Sequence, residues 1–164
     1  MLIGVVSDTH DNLLMARRAV SMLQARGAEA ILHAGDFVAP FALKVLLSAG
    51  VPLIAVLGNN DGEVAGLSAL CDDLHEPPYR FDLGGRQVVL THDEALLTDE
   101  LCAGADLIVC GHSHAPKVQA GPPLRVNPGE AGGWLSGRCT AAMVDLDAME
   151  AEIVELGTQE TVPL

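Results

Sequence analysis

Aromatic side chains are scarce in this chain: one Trp, one Tyr and three Phe among 164 residues, or 3%. A core must therefore be assembled from Leu, Val, Ile and Ala, and a hydrophobic fraction of 49% supplies enough of them. With 19% charged residues the composition is that of a soluble globular protein and not of a disordered one. Basic residues are short too, 9 Lys and Arg against 22 Asp and Glu, for a net charge of −13. That balance disfavours nonspecific adhesion to nucleic acid or to an anionic membrane, both of which need basic surface. It does not exclude a phosphate-bearing substrate, because bound metal ions invert the local field. The cysteines, Cys71, Cys102, Cys110 and Cys139, include no CxxC pair, which argues against a zinc ribbon or a redox pair. They are expected to be reduced and mostly buried in a cytoplasmic protein. Repeats, low-complexity tracts and linker-like shifts are missing, so one domain over 1–164 is expected, too short for a (β/α)₈ barrel. No basic segment precedes the apolar MLIGVVSD, itself too short for a signal-peptide core or a bilayer crossing; neither leader nor membrane is expected.

What is present is a regular alternation of short apolar runs and helix-like segments. Leu2 to Val6, Ala30 to His33 and Leu53 to Leu57 read as buried strands. Between them, Asn12 to about Arg26 reads as an amphipathic helix, and Phe41 to Ser48 as a second, with Pro40 in its first turn. This β-α-β-α-β order predicts a parallel sheet covered by helices. Later, Tyr79 to Asp82 and Arg86 to Thr91 flank Leu83-Gly84-Gly85, a hairpin signal. Leu107 to Cys110 is another short strand, and Cys139 to Leu146 pairs with Glu150 to Leu156 around Asp147-Ala148-Met149. Antiparallel strands following parallel ones predict two sheets packed face to face.

Nearly every strand ends in a polar cluster: Ser7-Asp8-Thr9-His10, Gly35-Asp36, Gly58-Asn59-Asn60-Asp61, Thr91-His92 and Gly111-His112-Ser113-His114. Ligands of open α/β sheets bind beyond the carboxyl ends of the strands, so these clusters can converge. Each alone has a plain structural reading. Asp8 and Asp36 could cap helices, Asn59 and Asn60 could form a turn, and His92 could be a satisfied half-buried histidine. Together they supply two carboxylates, amide oxygens and four imidazoles, too many for one tetrahedral zinc and suited to two metals sharing a bridge. Mixed nitrogen and oxygen donors without thiolate favour Mn²⁺, with Ni²⁺, Fe or Zn²⁺ as alternatives, over a Ca²⁺ cage.

The ordered series Asp8-x-His10, Gly35-Asp36, Gly58-Asn59-Asn60-Asp61, His92 and Gly111-His112-x-His114 resembles the calcineurin-like metallophosphoesterase superfamily. The length and the segment Val126-Asn127-Pro128-Gly129 resemble its small YfcE-like phosphodiesterase branch. The resemblance implies a four-layer α-β-β-α sandwich, two mixed sheets flanked by helices, with a dinuclear centre at the strand ends. By position, Asp8, His10, Asp36 and His114 would hold the first metal. Asp36, Asn59, His92 and His112 would hold the second, with Asp36 bridging. It also implies phosphodiester hydrolysis of a small phosphate ester by in-line attack of a metal-bound hydroxide.

Two positions depart from the family pattern. Most members carry His after the ligand Asn, where it helps the leaving group; here Asn60 stands there, able to donate a hydrogen bond but no proton near neutral pH. That favours substrates with good leaving groups. Where the small branch often continues past the His92 position with Gly-His, this chain has Asp93 and Glu94, which either repel highly charged substrates or cap the following helix. His33 is expected in the core, and His75 in a solvated loop. Asp11 and Asn12 are expected to cap the first helix, and Asp61 to buttress the Asn59-Asn60 turn. Trp134 is either a packing anchor or part of an interface, and a homo-oligomer stays open. The competing reading is a non-catalytic interaction scaffold of the same fold, like the retromer subunit that resembles this family; the complete ligand set speaks against it.

Overall fold

Side chains alternate between the two faces of a strand, and in β1 (Leu2–Val6) both faces are covered. Ile3 and Val5 point into a core shared with a second sheet, whereas Val6 points into a core shared with helices. The structure is a computed structural model that describes residues 1–157; the end of the expected domain, 158–164, lies outside the described residues.

β1 is followed by α1 (Leu13–Ala25), β2 (Ala30–His33), α2 (Pro40–Leu47), β3 (Leu53–Val56), α3 (Val64–Ser68) and β4 (Leu74–His75). Then come β5 (Tyr79–Leu83), β6 (Arg86–Leu90), a 3-10 turn (Glu94–Leu96), α4 (Asp99–Cys102), β7 (Leu107–Val109), β8 (Lys117–Gln119) and β9 (Leu124–Asn127). The hairpin β10 (Cys139–Asp145) and β11 (Glu150–Gly157) follows. The first sheet has the order β11-β10-β1-β2-β3-β4 and the second β5-β6-β7-β9-β8. Both are mixed, as expected, but the division does not follow the two halves of the chain. The late hairpin adds antiparallel to β1, and β6, β7 and β9 are parallel to one another inside the second sheet. β4, β8 and β9 are too short to show a sequence period.

The four layers follow from residue parity. Leu32, Ile54 and Val56 of the first sheet meet Val88, Leu90, Leu107 and Val126 of the second. On the other face of the first sheet, Ile31 and Ala55 pack with Met15, Leu23, Leu43 and Leu46 of α1 and α2. On the outer face of the second sheet, Val89 and Ile108 pack with the short segments bearing Leu97, Cys102 and Ala105. Each fully buried aliphatic side chain contributes about 1.5–3 kcal/mol by leaving water. Cys71 and Cys110 are buried free thiols, and Cys102 is a half-buried one. Burial raises the Cys110 thiol to about 11, which leaves it protonated and inert.

α1 begins at Asn12, whose side chain accepts from the Met15 N–H at 3.2 Å. Asp11 does not share that cap, contrary to expectation: its Oδ1 accepts from the Ala42 N–H in the first turn of α2 at 3.3 Å. A positive φ of 51° at Asp11 turns it away from the helix that follows it. His75 is likewise not in a loop. It lies in β4, with its ring stacked 3.6 Å from that of Tyr79.

Leu23 of α1 packs directly over Gly4 of β1, where an added Cβ would fall 2.5 Å from Leu23 Cδ2. Gly4→Ala should therefore lower the unfolding free energy by about 1–3 kcal/mol in a urea titration. Gly62→Ala, at an exposed position where an added methyl meets nothing within 4 Å, should stay within about 0.5 kcal/mol of wild type.

Candidate metal centre

The carboxyl ends of β1, β2 and β3 in the first sheet and of β6 and β7 in the second deliver Asp8, Asp36, Asn59, His92 and His112 to one edge of the sandwich. Backbone bonds sew these ends together. Asp8 N donates to Gly35 O and His10 N to Asp36 O, both at 3.0 Å, and Gly111 N donates to His92 O at 3.0 Å. Gly111 is required by space, since a Cβ there would fall 1.9 Å from Ser7 Oγ and 2.8 Å from Asp8 Oδ2.

The chain is bent sharply at these positions. Asp8, His10, Asp36, His112 and His114 adopt φ of 53°, 42°, 62°, 62° and 57°, a region that L residues other than Gly occupy at a cost. Each such residue costs on the order of 1 kcal/mol or more, and it persists where surrounding bonds over-determine it. Asp61 supplies many of those bonds. Its carboxylate accepts from Asp36 N at 3.0 Å, Val38 N at 2.7 Å and Gly58 N at 2.7 Å, which ties the Asp36 turn to the Asn59-Asn60 turn.

Asp36 Oδ2 lies 3.6 Å from His10 Nε2 and 3.5 Å from His92 Nε2. Asp8 Oδ1 lies 3.3 Å from His114 Nε2 and 3.9 Å from His10 Nε2. Asp8, His10 and His114 form one group whose donor atoms all lie within 4.8 Å of one another, and Asp8, Asp36 and His92 form another. Asn59 Oδ1 is 2.9 Å and His112 Nδ1 3.3 Å from His92 Nε2. All seven candidate ligands thus come together, and Asp8 joins Asp36 in touching both groups.

The tautomers show what this arrangement is built for. His92 Nδ1 lies 2.7 Å from the Ala34 carbonyl, which can only accept, so Nδ1 carries a proton, and Nε2 is turned to Asn59 Oδ1 and Asp36 Oδ2. His114 Nδ1 lies 2.8 Å from Glu130 Oε2, leaving its Nε2 lone pair on Asp8 Oδ1. Asp8 Oδ1 and His10 Nε2 are buried and have no hydrogen-bond partner among the described residues. Burial raises the Asp8 pKa, opposed by a hydrogen bond from Ser7 and by His92 and His114. Buried carboxylate and imidazole lone pairs aimed at one another are the donor set of a divalent cation. The residues fit such ions.

His33 is in the core and not among the ligands. It is fully buried, its ring stacks 3.6 Å from Phe37, and Gly35 N donates to its Nδ1 at 3.2 Å. Burial, then the charges of His92 and His10, push its pKa well below the ordinary value. The neutral ring donates from Nε2 to Thr9 Oγ1 at 3.3 Å, and that hydroxyl donates to Asp36 O at 3.4 Å. Asn60 is turned onto the site: its N–H donates to Asp36 Oδ1 at 2.8 Å and its amide to Oδ2 at 2.7 Å. Asp93 caps the 3-10 turn through Ala95 N at 2.9 Å, with its other oxygen 3.9 Å from His112 Nε2. Glu94 reaches Arg125 at 3.5 Å.

Glu130 escaped the sequence reading. Its side chain is fully buried, and besides His114 it accepts from Leu135 N at 3.1 Å and from Ser136 N. Burial alone would raise its pKa, but the bonds from Ser136, His114 and Leu135 outweigh burial and hold it below the ordinary value. The available signal was an acidic residue inside an otherwise Gly-rich, apolar stretch, Pro128 to Trp134. Asn127 stands in the Val126-Asn127-Pro128-Gly129 segment. Its amide donates to Gly111 O at 2.7 Å and Ser113 Oγ at 3.0 Å, holding the His112–His114 turn.

The calcineurin-like phosphoesterase superfamily domain matches residues 1–149 of this chain. The phosphodiesterase MJ0936 of Methanocaldococcus jannaschii is 31% identical over 159 residues, covering 92% of this chain and 96% of that protein. A solved archaeal phosphodiesterase superposes with a TM-score of 0.85 at 28% identity, over 94% of this chain and 99% of that one. The phosphoesterase Yfce of E. coli shares the fold, with a TM-score of 0.70 at 23% identity over 96% of this chain and 100% of that one. With its ligand-bearing strand ends inside the matched span, the chain belongs to the calcineurin-like phosphoesterase superfamily.

Proposed function

We propose that this protein is a metal-dependent phosphodiesterase whose centre holds two divalent ions, Mn²⁺ foremost, with Ni²⁺, Fe and Zn²⁺ as alternatives. One observation carries the reading: carboxylate oxygens of Asp8 and Asp36 and imidazole nitrogens of His10, His92 and His114 converge, with Asp8 Oδ1 and His10 Nε2 buried and unpartnered among the described residues. In this reading Asp8, His10, Asp36 and His114 hold one ion, and Asp36, Asn59, His92 and His112 the other. When bound, such a pair activates a water molecule and offsets charge developing on the phosphoryl oxygens. The named phosphodiesterase relative supports the reaction class. Nothing at the site favours the scaffold alternative.

The chain's own residues then divide the work. Asp36 lies between the two groups, with its oxygens steadied by Asn60. With Asp36 holding a cation, the Asn60 amide would be released from Asp36 Oδ2 and could donate to a phosphoryl oxygen. Asn60 has no proton to give near neutral pH, so the departing oxygen leaves unprotonated or takes its proton from water. Activated diesters therefore suit the site better than alkyl monoesters, and a single negative charge suits the carboxylate of Asp93 beside it. Among the described residues no helix is long and apolar enough to cross a membrane. The free thiols of Cys71, Cys102 and Cys110 support a reducing, cytoplasmic setting.

Chelator-treated protein should lose activity toward an aryl diester and regain it with Mn²⁺; full activity with no metal by elemental analysis would refute the reading. Asp36→Asn should abolish turnover in folded protein, whereas His33→Asn should act chiefly on stability, by about 1–3 kcal/mol. Equal loss of turnover in both, with both folded, would overturn the assignment. Asn60→His should narrow the gap in kcat/KM between an aryl diester and an alkyl monoester at matched Mn²⁺, because imidazole titrates near pH 7. A widened gap in a variant that keeps its metals contradicts the leaving-group argument. Glu130→Gln should weaken Mn²⁺ binding about 10–100-fold in competition with a chromophoric chelator; unchanged affinity removes Glu130 from any role in positioning His114.

A further inference from the structure

Three recesses adjoin the metal centre; one, of about 470 Å³, runs past His112 and His114 to Leu135, Ser136 and Arg138, and the other two lie one beside each group of ligands. A recess of about 300 Å³ is lined by Leu57, Pro77 and Leu96 next to Asn59, His92 and His112, with Glu76 and Asp93 at its rim. The other, of about 290 Å³, lies between His10, Asn60 and His114 on one side and Trp134 and Leu135 on the other. A phosphodiester has two organic arms, and a phosphoryl group at the metal centre has an apolar recess available for each.

The Trp134 recess is the more informative. Trp134 and Leu135 are large apolar side chains left 59% and 79% exposed, at a surface where such exposure costs free energy unless something covers it. Trp134 is nevertheless held in place. Its indole Nε1 donates to His10 O at 3.2 Å, and the backbone on either side is fastened by Gly132 N to Asp8 O at 2.9 Å and Leu135 N to Glu130 Oε1 at 3.1 Å. An exposed ring fixed by residues of the metal centre itself is a preorganised stacking surface, with its ordering cost already met on folding. Neither recess is lined by Lys or Arg among the described residues, so neither offers a counter-charge to a second phosphate.

We propose that Trp134 and Leu135 form the subsite for one arm of the diester, and that this arm is an uncharged planar aromatic group, an aryl ring or a nucleobase. The proposal rests on the phosphodiesterase reading above. It specifies a small diester with an aromatic arm in the Trp134 recess.

Trp134 is the only tryptophan in the chain, so its emission reports on the subsite directly. Metal-loaded protein is titrated with three monoanions whose varied arm is joined to phosphorus through carbon, so that it cannot be cleaved off: methyl phenylphosphonate, methyl 5′-deoxythymidine-5′-phosphonate and methyl ethylphosphonate. The aromatic ligands should shift or quench the emission saturably and bind about tenfold more tightly than the ethyl ligand. The phenyl and thymidine arms show which aromatic source fits better. By calorimetry, Trp134→Ala should lose about tenfold of the aromatic-over-ethyl preference, while Trp134→Phe, which keeps a ring, should retain most of it.

Equal emission changes with the ethyl and aromatic ligands, or an undiminished aromatic preference in Trp134→Ala, would overturn the subsite. So would a wild-type dimer in sedimentation that Trp134→Ala converts to monomer, because a second copy of the chain would then be the occupant. Failure of the phosphodiesterase reading looks different: wild-type protein would hydrolyse no diester with any metal, whatever the phosphonates do at Trp134.

Discussion

The Asp36 carboxylate is held within 3.6 Å of His10 Nε2 and 3.5 Å of His92 Nε2, in a place where it is almost wholly removed from water. Such a placement is unfavourable for a bare carboxylate beside imidazole lone pairs, and the surrounding structure is arranged to enforce it. Asn60 occupies both carboxylate oxygens, and Asp61 accepts from the Asp36 N–H itself. The parallel strands β1, β2 and β3 bring their carboxyl ends to this point, and the second sheet brings His92 and the His112–His114 turn against them. Asp8 belongs to both groups of candidate ligands, and the Asp36 turn brings Asp36 Oδ2 within reach of His10 in the other group as well.

Stability has been given up at this edge. Left-handed backbone at Asp8, His10, Asp36, His112 and His114, together with unpartnered Asp8 Oδ1 and His10 Nε2, would each cost free energy in an ordinary fold. The compensation lies in the core between the sheets, where Ile3, Val5, Leu32, Leu90, Leu107 and Val126 are shut off from solvent. A divalent ion would turn the unfavourable acceptor contacts into ligation. Folding therefore prepares the site, and metal binding returns part of what folding lost.

Support beyond the direct ligands comes from carboxylates and carbonyls that set tautomers. Ala34 O fixes His92, and Glu130 fixes His114. Glu130 also holds the backbone of Leu135 and Ser136, so the same carboxylate orients a metal ligand and the loop that presents Trp134. The proposed metal site and the proposed subsite for an organic arm would thus share one buried side chain.

Much of this was legible in the sequence. The alternation of apolar strands with helices, the hairpin around Gly84-Gly85, and the Asp8-x-His10, Gly35-Asp36, Gly58-Asn59-Asn60-Asp61 and Gly111-His112-Ser113-His114 clusters all depend on near neighbours, which a chain displays directly. Helix period, strand period and turn chemistry are local, so they survive without knowledge of the fold. The capping of α2 by Asp11, the strand position of His75, and the placing of β10 and β11 beside β1 were not legible, because each depends on a partner brought close only by folding. The same holds most strongly for Glu130 and Trp134. Trp134 meets His10 across 124 positions of sequence, and no local pattern encodes that contact. By itself the sequence determined which donor atoms the protein owns and at which strand ends they stand. Only the tertiary structure decided which of them face one another, because that follows from the packing of two sheets and the long-range bonds that hold their ends together.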